Sequence, residues 1–157
     1  MKHQKLELSE DDFEFELVAF STNLDDYLLA YHINRTLNIY LQKSNDIEIA
    51  YKNICDNKAS YQRFDYTDLD NEVNWCLFKN HTLLDSASDN TLFEKSTLKV
   101  YFIDEYRNAD YILRIEDCDF SEEQIHQIIA KLREIDKVST VFWVDQDRIK
   151  RKENLIF

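Results

Sequence analysis

The stretch "YILRIEDCDFSEEQIHQIIAKLREIDKVSTVFWV" (Tyr111–Val144) decides how this chain folds. Its middle opens with Ser121 and Gln124 in capping-box spacing, and Glu122 and Glu123 complement the helix dipole. Ile125, Ile128, Ile129, Leu132 and Ile135 then recur on one helical face, which predicts a helix over 122–135. Before it, "DYILRIE" (Asp110–Glu116) is a short apolar run of strand length. After it, "VSTVFWV" (Val138–Val144) is β-branched and aromatic, the composition of a strand. The unit is therefore β-α-β.

Toward the N-terminus, "FEFELVAF" (Phe13–Phe20) alternates and then becomes apolar on both faces, as a strand entering a core does. Thr22 and Asp25 are spaced like a capping box for a helix over about 23–37. Leu24, Leu28, Tyr31 and Leu29, Ile33, Leu37 form two adjoining stripes, which predicts a broadly buried helix. "NIYLQK" (Asn38–Lys43) and "DIEIAY" (Asp46–Tyr51) read as one hairpin, and "YQRFDYT" (Tyr61–Thr67) and "EVNWCLFKN" (Glu72–Asn80) as a second. An irregular stretch is expected from about Thr82 to Ser96. "TLKVYFI" (Thr97–Ile103) then reads as a central strand partnered by Asp110–Glu116. The order specifies an α+β domain: a single mixed or mainly antiparallel sheet of about six to eight strands with two helices, spanning 1–157 as one domain.

Glycine and proline are both absent, against typical usage of about 7% and 5%. Abundant Asn, Lys, Ile, Tyr and Phe, all specified by AT-rich codons, point to base composition as the main cause. Left-handed turn positions must then fall to Asn or Asp, so "KSNDI" (Lys43–Ile47), "CDNK" (Cys55–Lys58), "LDNE" (Leu69–Glu72) and "SDNT" (Ser88–Thr91) read as turns. A phosphate-cradling glycine loop has no residue to be built from, which removes P-loop and dinucleotide-binding enzymes. No Ser lies in a nucleophile elbow, which also requires glycine.

A net charge of −12 repels phosphate backbones and disfavours direct nucleic-acid binding. Cys55, Cys76 and Cys118 are odd in number and lack C-x-x-C spacing, so reduced thiols in a cytoplasmic protein are expected. Cys76, between Trp75 and Leu77, reads as a small buried hydrophobe, and the acids before Cys118 raise its pKa. His3, His32, His81 and His126 show no metal-ligand spacing, and "DQD" (Asp145–Asp147) reads as a polar turn. No metal, cofactor or catalytic residue is assigned, and no membrane-spanning run is present. The aromatics alternate with acids rather than with Lys and Arg, which favours core packing over a base-stacking platform.

Two segments stand out. "IDEYRNADY" (Ile103–Tyr111) brings Asp104, Glu105, Arg107 and Asp110 between two apolar runs. As a structural connection, Asp104 forms an Asx-turn and Arg107 pairs with Glu105 or Asp110. As a site, Glu105 and Asp110 are a carboxylate pair in a pocket. The second is "RIKRKENLIF" (Arg148–Phe157), where Lys150, Arg151 and Lys152 reverse the local charge before Leu155, Ile156 and Phe157. It reads either as a partner-docking tail or as a segment packed on the domain's own core.

These residues also carry a family resemblance. Ile103, Glu105, Asp110 and Tyr111 match the signature of the IPExxxVDY family of small bacterial proteins, with Asp104 at its proline and Ala109 at its valine. "LDDYLLAYHINRTL" (Leu24–Leu37) and "KENLIF" (Lys152–Phe157) are similar to segments at corresponding places, so three short motifs span essentially the whole chain. The resemblance implies a bacterial cytosolic protein and brings no activity with it.

The first reading is thus a non-catalytic interaction or regulatory protein acting on another protein. A small-molecule-binding domain or enzyme using the Glu105/Asp110 region is the alternative. A second is an acidic nucleic-acid mimic acting on a basic partner.

Overall fold

In a computed structural model, the structure describes residues 15–51, 58–86 and 96–157. Among the described residues, eight strands are β1 (Phe15–Thr22), β2 (Gln42–Ala50), β3 (Lys58–Asp68), β4 (Val73–Lys79), β5 (His81–Ser86), β6 (Ser96–Tyr101), β7 (Tyr111–Glu116) and β8 (Val138–Trp143). Two helices are α1 (Asp26–Leu37) and α2 (Glu122–Arg133). Six strands form one sheet in the order β2-β3-β4-β7-β1-β8, and β5 pairs with β6 in a second sheet. Every pairing is antiparallel. The α+β expectation of six to eight strands and two helices holds, with the strands divided between two sheets.

The large sheet separates two cores. Val18, Phe20, Trp75, Leu113 and Ile115 point to the face covered by α1 and α2. Leu17, Ala19, Phe78 and Ile112 point to the other, covered by the β5–β6 ribbon and the segment through Leu155. Burial on both faces explains why β1 and β7 lose strict alternation. Leu17, Val18 and Phe20 are wholly buried, each contributing roughly 1.5–3 kcal/mol.

The capping box of α2 forms as expected: Gln124 N–H donates to Ser121 Oγ, and Ser121 N–H donates to Gln124 Oε1. At α1 the expected box does not form. Asp25 is the N-cap residue and makes no side-chain cap bond, while Thr22 ends β1. Pairing of Thr22 with Val138 holds it extended, and its hydroxyl donates to Lys137 O and accepts from Leu24 N–H. The burial of α1 is also narrower than its pattern predicts: Leu29, Ala30 and Ile33 are buried, but Leu28 and Tyr31 are exposed.

Three strand assignments change. Residues 42–50 form one strand rather than parts of a hairpin, because a bulge between Ser44 and Ile47 absorbs the polar "SND" while β3 supplies the ladder. β5 lies where an irregular stretch was expected. The expected central strand at 97–103 is instead β6, a ribbon strand beside β5, whereas β7 is central between β4 and β1. Among the described side chains of β6, Leu98 is exposed and only Val100 is well buried, too little apolar surface for a two-faced position.

Among the described residues, the left-handed conformation falls to Asn38 and Asp117 as expected, but also to Glu72 and Lys137. At the last two, side chains with no special tolerance are forced left-handed, at about 1–2 kcal/mol each. Asn38 caps α1, its N–H donating to Asn34 O. The 69–72 turn is present, whereas 43–47 lies in β2. His3, Cys55, Phe13 and the expected turn at 88–91 lie outside the described residues. Among the described residues no helix is long and apolar enough to cross a membrane.

Candidate functional site

The Ile103–Tyr111 segment carries the chain from the small sheet to the large one, and a buried amide shapes it. Asn80, wholly buried between β4 and β5, accepts from Ile103 N–H through Oδ1 at 2.8 Å. Its Nδ2 donates to Tyr106 O at 2.9 Å and Ala109 O at 3.0 Å, with Ile103 O at the 3.5 Å limit. Reversing the amide would set N–H against N–H and oxygen against carbonyl, so the network fixes its orientation. The Asn80 backbone also donates to Asp110 O and accepts from Phe102 N–H.

Inside the loop, Asp104–Tyr106 form a 3-10 turn closed by Tyr106 N–H to Ile103 O. The expected Asx-turn at Asp104 is replaced by this backbone bond. Arg107, expected to pair with Glu105 or Asp110, pairs instead with the Asp104 carboxylate at 2.7 Å, because three residues along a 3-10 turn bring side chains into line. Ile103 is extended (φ −111°, ψ 98°) and Asp104 is the first residue of the turn. A proline at 104 favours that conformation on both sides.

Glu105 and Asp110 have separate commitments. Glu105 Oε1 accepts from Lys150 N–H at 3.1 Å. Asp110 Oδ2 accepts from Thr22 N–H at 2.9 Å, and Oδ1 lies 3.3 Å from His81 Nε2. Burial, helped by Lys99 and Lys79, holds the His81 pKa down against the raising effect of Asp110. Tyr111 buries its ring and donates to Leu24 O at 2.9 Å. Burial first, then Asp26, Asp25 and Asp110, raise its pKa.

Glu105 links this loop to the other sequence candidate. Tyr106 strengthens the link: its hydroxyl donates to Asp145 O at 2.9 Å and accepts from Asp145 N–H at 3.1 Å. Leu155 is 1% exposed in the second core, so the tail packs on its own domain through that residue. Lys150 and Arg151 stay exposed and Lys152 is half-buried. Ile156 and Phe157 remain largely at the surface.

Beside Phe157 lies a cleft of about 290 Å³ floored by the edge-side half of the large sheet, with Arg63, Asp65, Asn74, Cys76, Arg114 and Glu116 in its lining. Strand register builds it: Asp65 pairs with Cys76, and Cys76 with Arg114, across β3, β4 and β7. Arg114 is nearly fully buried. It donates to Leu155 O at 2.6 Å and lies 3.3 Å from Glu116 Oε2. Arg63 donates to Ser44 Oγ and has Nε 3.0 Å from Asp65 Oδ2.

Sequence reasoning passed over Asn80, Arg63 and Arg114. The lone charge inside "YILRIE" is a signal for Arg114; Asn80 looks like any turn asparagine.

Burial pushes the thiol of Cys76 up, and Asp65 adds to this, as fits a small core residue. The Cys118 thiol is also raised, chiefly by burial and secondarily by Glu16 and Asp119, not by the two acids before it that the sequence suggested. Asp145 Oδ1 accepts from Asp147 N–H, the polar turn expected of "DQD". Among the described residues, no group of three or more His, Cys, Asp or Glu is arranged to hold a metal ion. Comparison with family models, curated proteins and solved structures yielded no match to this chain.

Proposed function

We infer that this chain is a non-catalytic interaction protein of the bacterial cytosol, and that the outer face of α1 contacts its protein partner. The carrying observation is the exposure of Tyr27 (59%), Leu28 (36%) and Tyr31 (52%) on that face. Helical periodicity places Tyr27 and Tyr31 one turn apart, and tyrosine supplies large, stiff contact area at low entropic cost. Asp25 and Asp26 begin the same helix in a chain of net charge −12, which suits a partner with a basic rim. The carboxylates of the 103–111 loop hold backbone and neighbouring side chains, a positioning role. The cytosolic setting rests on the likeness of Ile103–Tyr111 to the IPExxxVDY signature.

The test is a Tyr27→Ser/Tyr31→Ser double variant of the tagged chain, compared with the parent in capture from its own cytosol. The expected result is loss of a specific bound protein at unchanged thermal stability, with salt-sensitive binding in the parent. An identical set of bound proteins for both chains refutes the reading.

A further inference from the structure

We propose that the cleft bordered by Arg63 and Arg114 is a binding site for a small planar aromatic carboxylate, and that Phe157 occupies its ring position as an internal placeholder. The surroundings of the Phe157 ring resemble a receptor for a flat π-system. The Arg114 guanidinium stands 3.9 Å from its centroid and that of Arg63 5.6 Å. Phe78 and Phe102 approach it edge-on at 5.7 and 5.9 Å. Cations over the ring face and ring edges at its sides are the two geometries an aromatic quadrupole favours.

Phe157 is more exposed than the walls around it, Phe78, Phe102 and Arg114. Leu155, the buried residue beside them, is 1% exposed, whereas Ile156 is 55% and Phe157 39% exposed. Turning the Phe157 side chain out of the cleft therefore removes no member of the buried core. The ring leaves buried donors around it unmet, Arg63 Nε and Trp75 Nε1 among them. Arg114 Nε is buried and meets no hydrogen-bond acceptor among the described residues. A buried guanidinium N–H without an acceptor is costly even when the rest of the group is paired, and a ligand carboxylate beside the ring supplies the planar, two-oxygen acceptor that suits a guanidinium edge.

The acids in the cleft do not cancel this preference. Arg114 and Arg63 side chains are 7% and 21% exposed, whereas their partners Glu116 and Asp65 are 41% and 39% exposed. Positive charge therefore lies at the floor and negative charge at the rim. The rim carboxylates can turn to water when a ligand carboxylate enters, but the arginines cannot.

The probe is benzoate, titrated into the isotope-labelled full chain while the arginine Nε–H resonances are followed by NMR. Saturable shifts at Arg114 and Arg63 are expected, with a dissociation constant on the order of 1 mM for so small a ligand. Phe157→Ala removes the placeholder and is expected to tighten binding severalfold. Arg63→Gln weakens it about tenfold, the loss of one charge-assisted contact, at unchanged far-UV circular dichroism. Benzamide, which keeps the ring without the charge, and inorganic phosphate, which keeps charge without the ring, are expected to bind at least tenfold more weakly. The proposal is overturned if benzoate gives no saturation, if either control matches it, or if Phe157→Ala leaves its affinity unchanged.

Discussion

Replacing Asn80 by Ala tests whether one buried amide holds the 103–111 loop. The substitution leaves the backbone bonds of residue 80 in place and removes only the side-chain network. Ile103 N–H and Ala109 O then lose their partners, formerly at 2.8 and 3.0 Å, while Tyr106 O keeps the Ala109 N–H. Ile103 and Ala109 are 2% and 0% exposed, so water does not simply take over. At about 1–3 kcal/mol for each of the two stranded groups, the loss is roughly 2–5 kcal/mol after partial relaxation of the loop. That is a large share of the 5–15 kcal/mol typical of a domain. Urea unfolding followed by circular dichroism should show the midpoint falling by about 1–2.5 M at unchanged slope. Asn80→Asp provides the chemical control. It keeps an acceptor for Ile103 N–H, but sets a buried carboxylate against two carbonyls. Burial raises the folded-state pKa of that new group above its unfolded value. Its contribution is therefore best at low pH and is lost as pH rises through the folded pKa. The aspartate variant should recover toward the parent at acid pH, while the alanine variant should not. A loss below about 1 kcal/mol for Asn80→Ala would refute the reasoning, because it would mean that solvent satisfies the loop.

Asp104→Pro should be nearly neutral or slightly stabilising. Proline suits the extended Ile103 and the start of the 3-10 turn, adding about 0.4–1 kcal/mol through the unfolded state, while the surface pair with Arg107 contributes little. A loss above about 2 kcal/mol in the same unfolding assay would show that residue 104 needs its N–H or another φ. His81, its folded pKa held below the ordinary value of 6.5, contributes stability that is present above that pH and lost as pH falls through the folded pKa. His81→Gln should therefore flatten the fall in melting temperature on acidification below 6.5; parallel curves for variant and parent would contradict this. Leu155→Ala should lose about 2–5 kcal/mol, because the side chain fills the second core, whereas Ile156→Ala should change stability by less than about 0.5 kcal/mol. Equal effects at the two positions would show that the tail is not anchored through Leu155.

The local elements were legible wherever a short-range rule acted alone. The α2 cap needs only Ser121 and Gln124 at the right spacing, and the β3–β4 hairpin needs only two strands around the 69–72 turn. Local rules failed where a distant strand supplied the partner. "KSNDI" has turn residues, yet β3 draws it into a bulged strand. Thr22 has capping chemistry, yet β8 keeps it in the sheet.

The candidate site divides in the same way. The sequence identified 103–111 and the tail as unusual, but did not show that Glu105 joins them or that Asn80 organises the first. The positions meet across separations of 45 and 23 residues, beyond the reach of any local pattern.

By itself the sequence determined an acidic α+β chain with one amphipathic helix between strands, because charge, composition and periodicity are properties of neighbours along the chain. Only the tertiary structure decided that β7 is central, that Tyr27 and Tyr31 stay outside, and that Arg63 and Arg114 share a cleft beneath Phe157. Each depends on which surfaces remain for burial once the sheet has closed its hydrogen bonds. That competition is settled among all the strands at once.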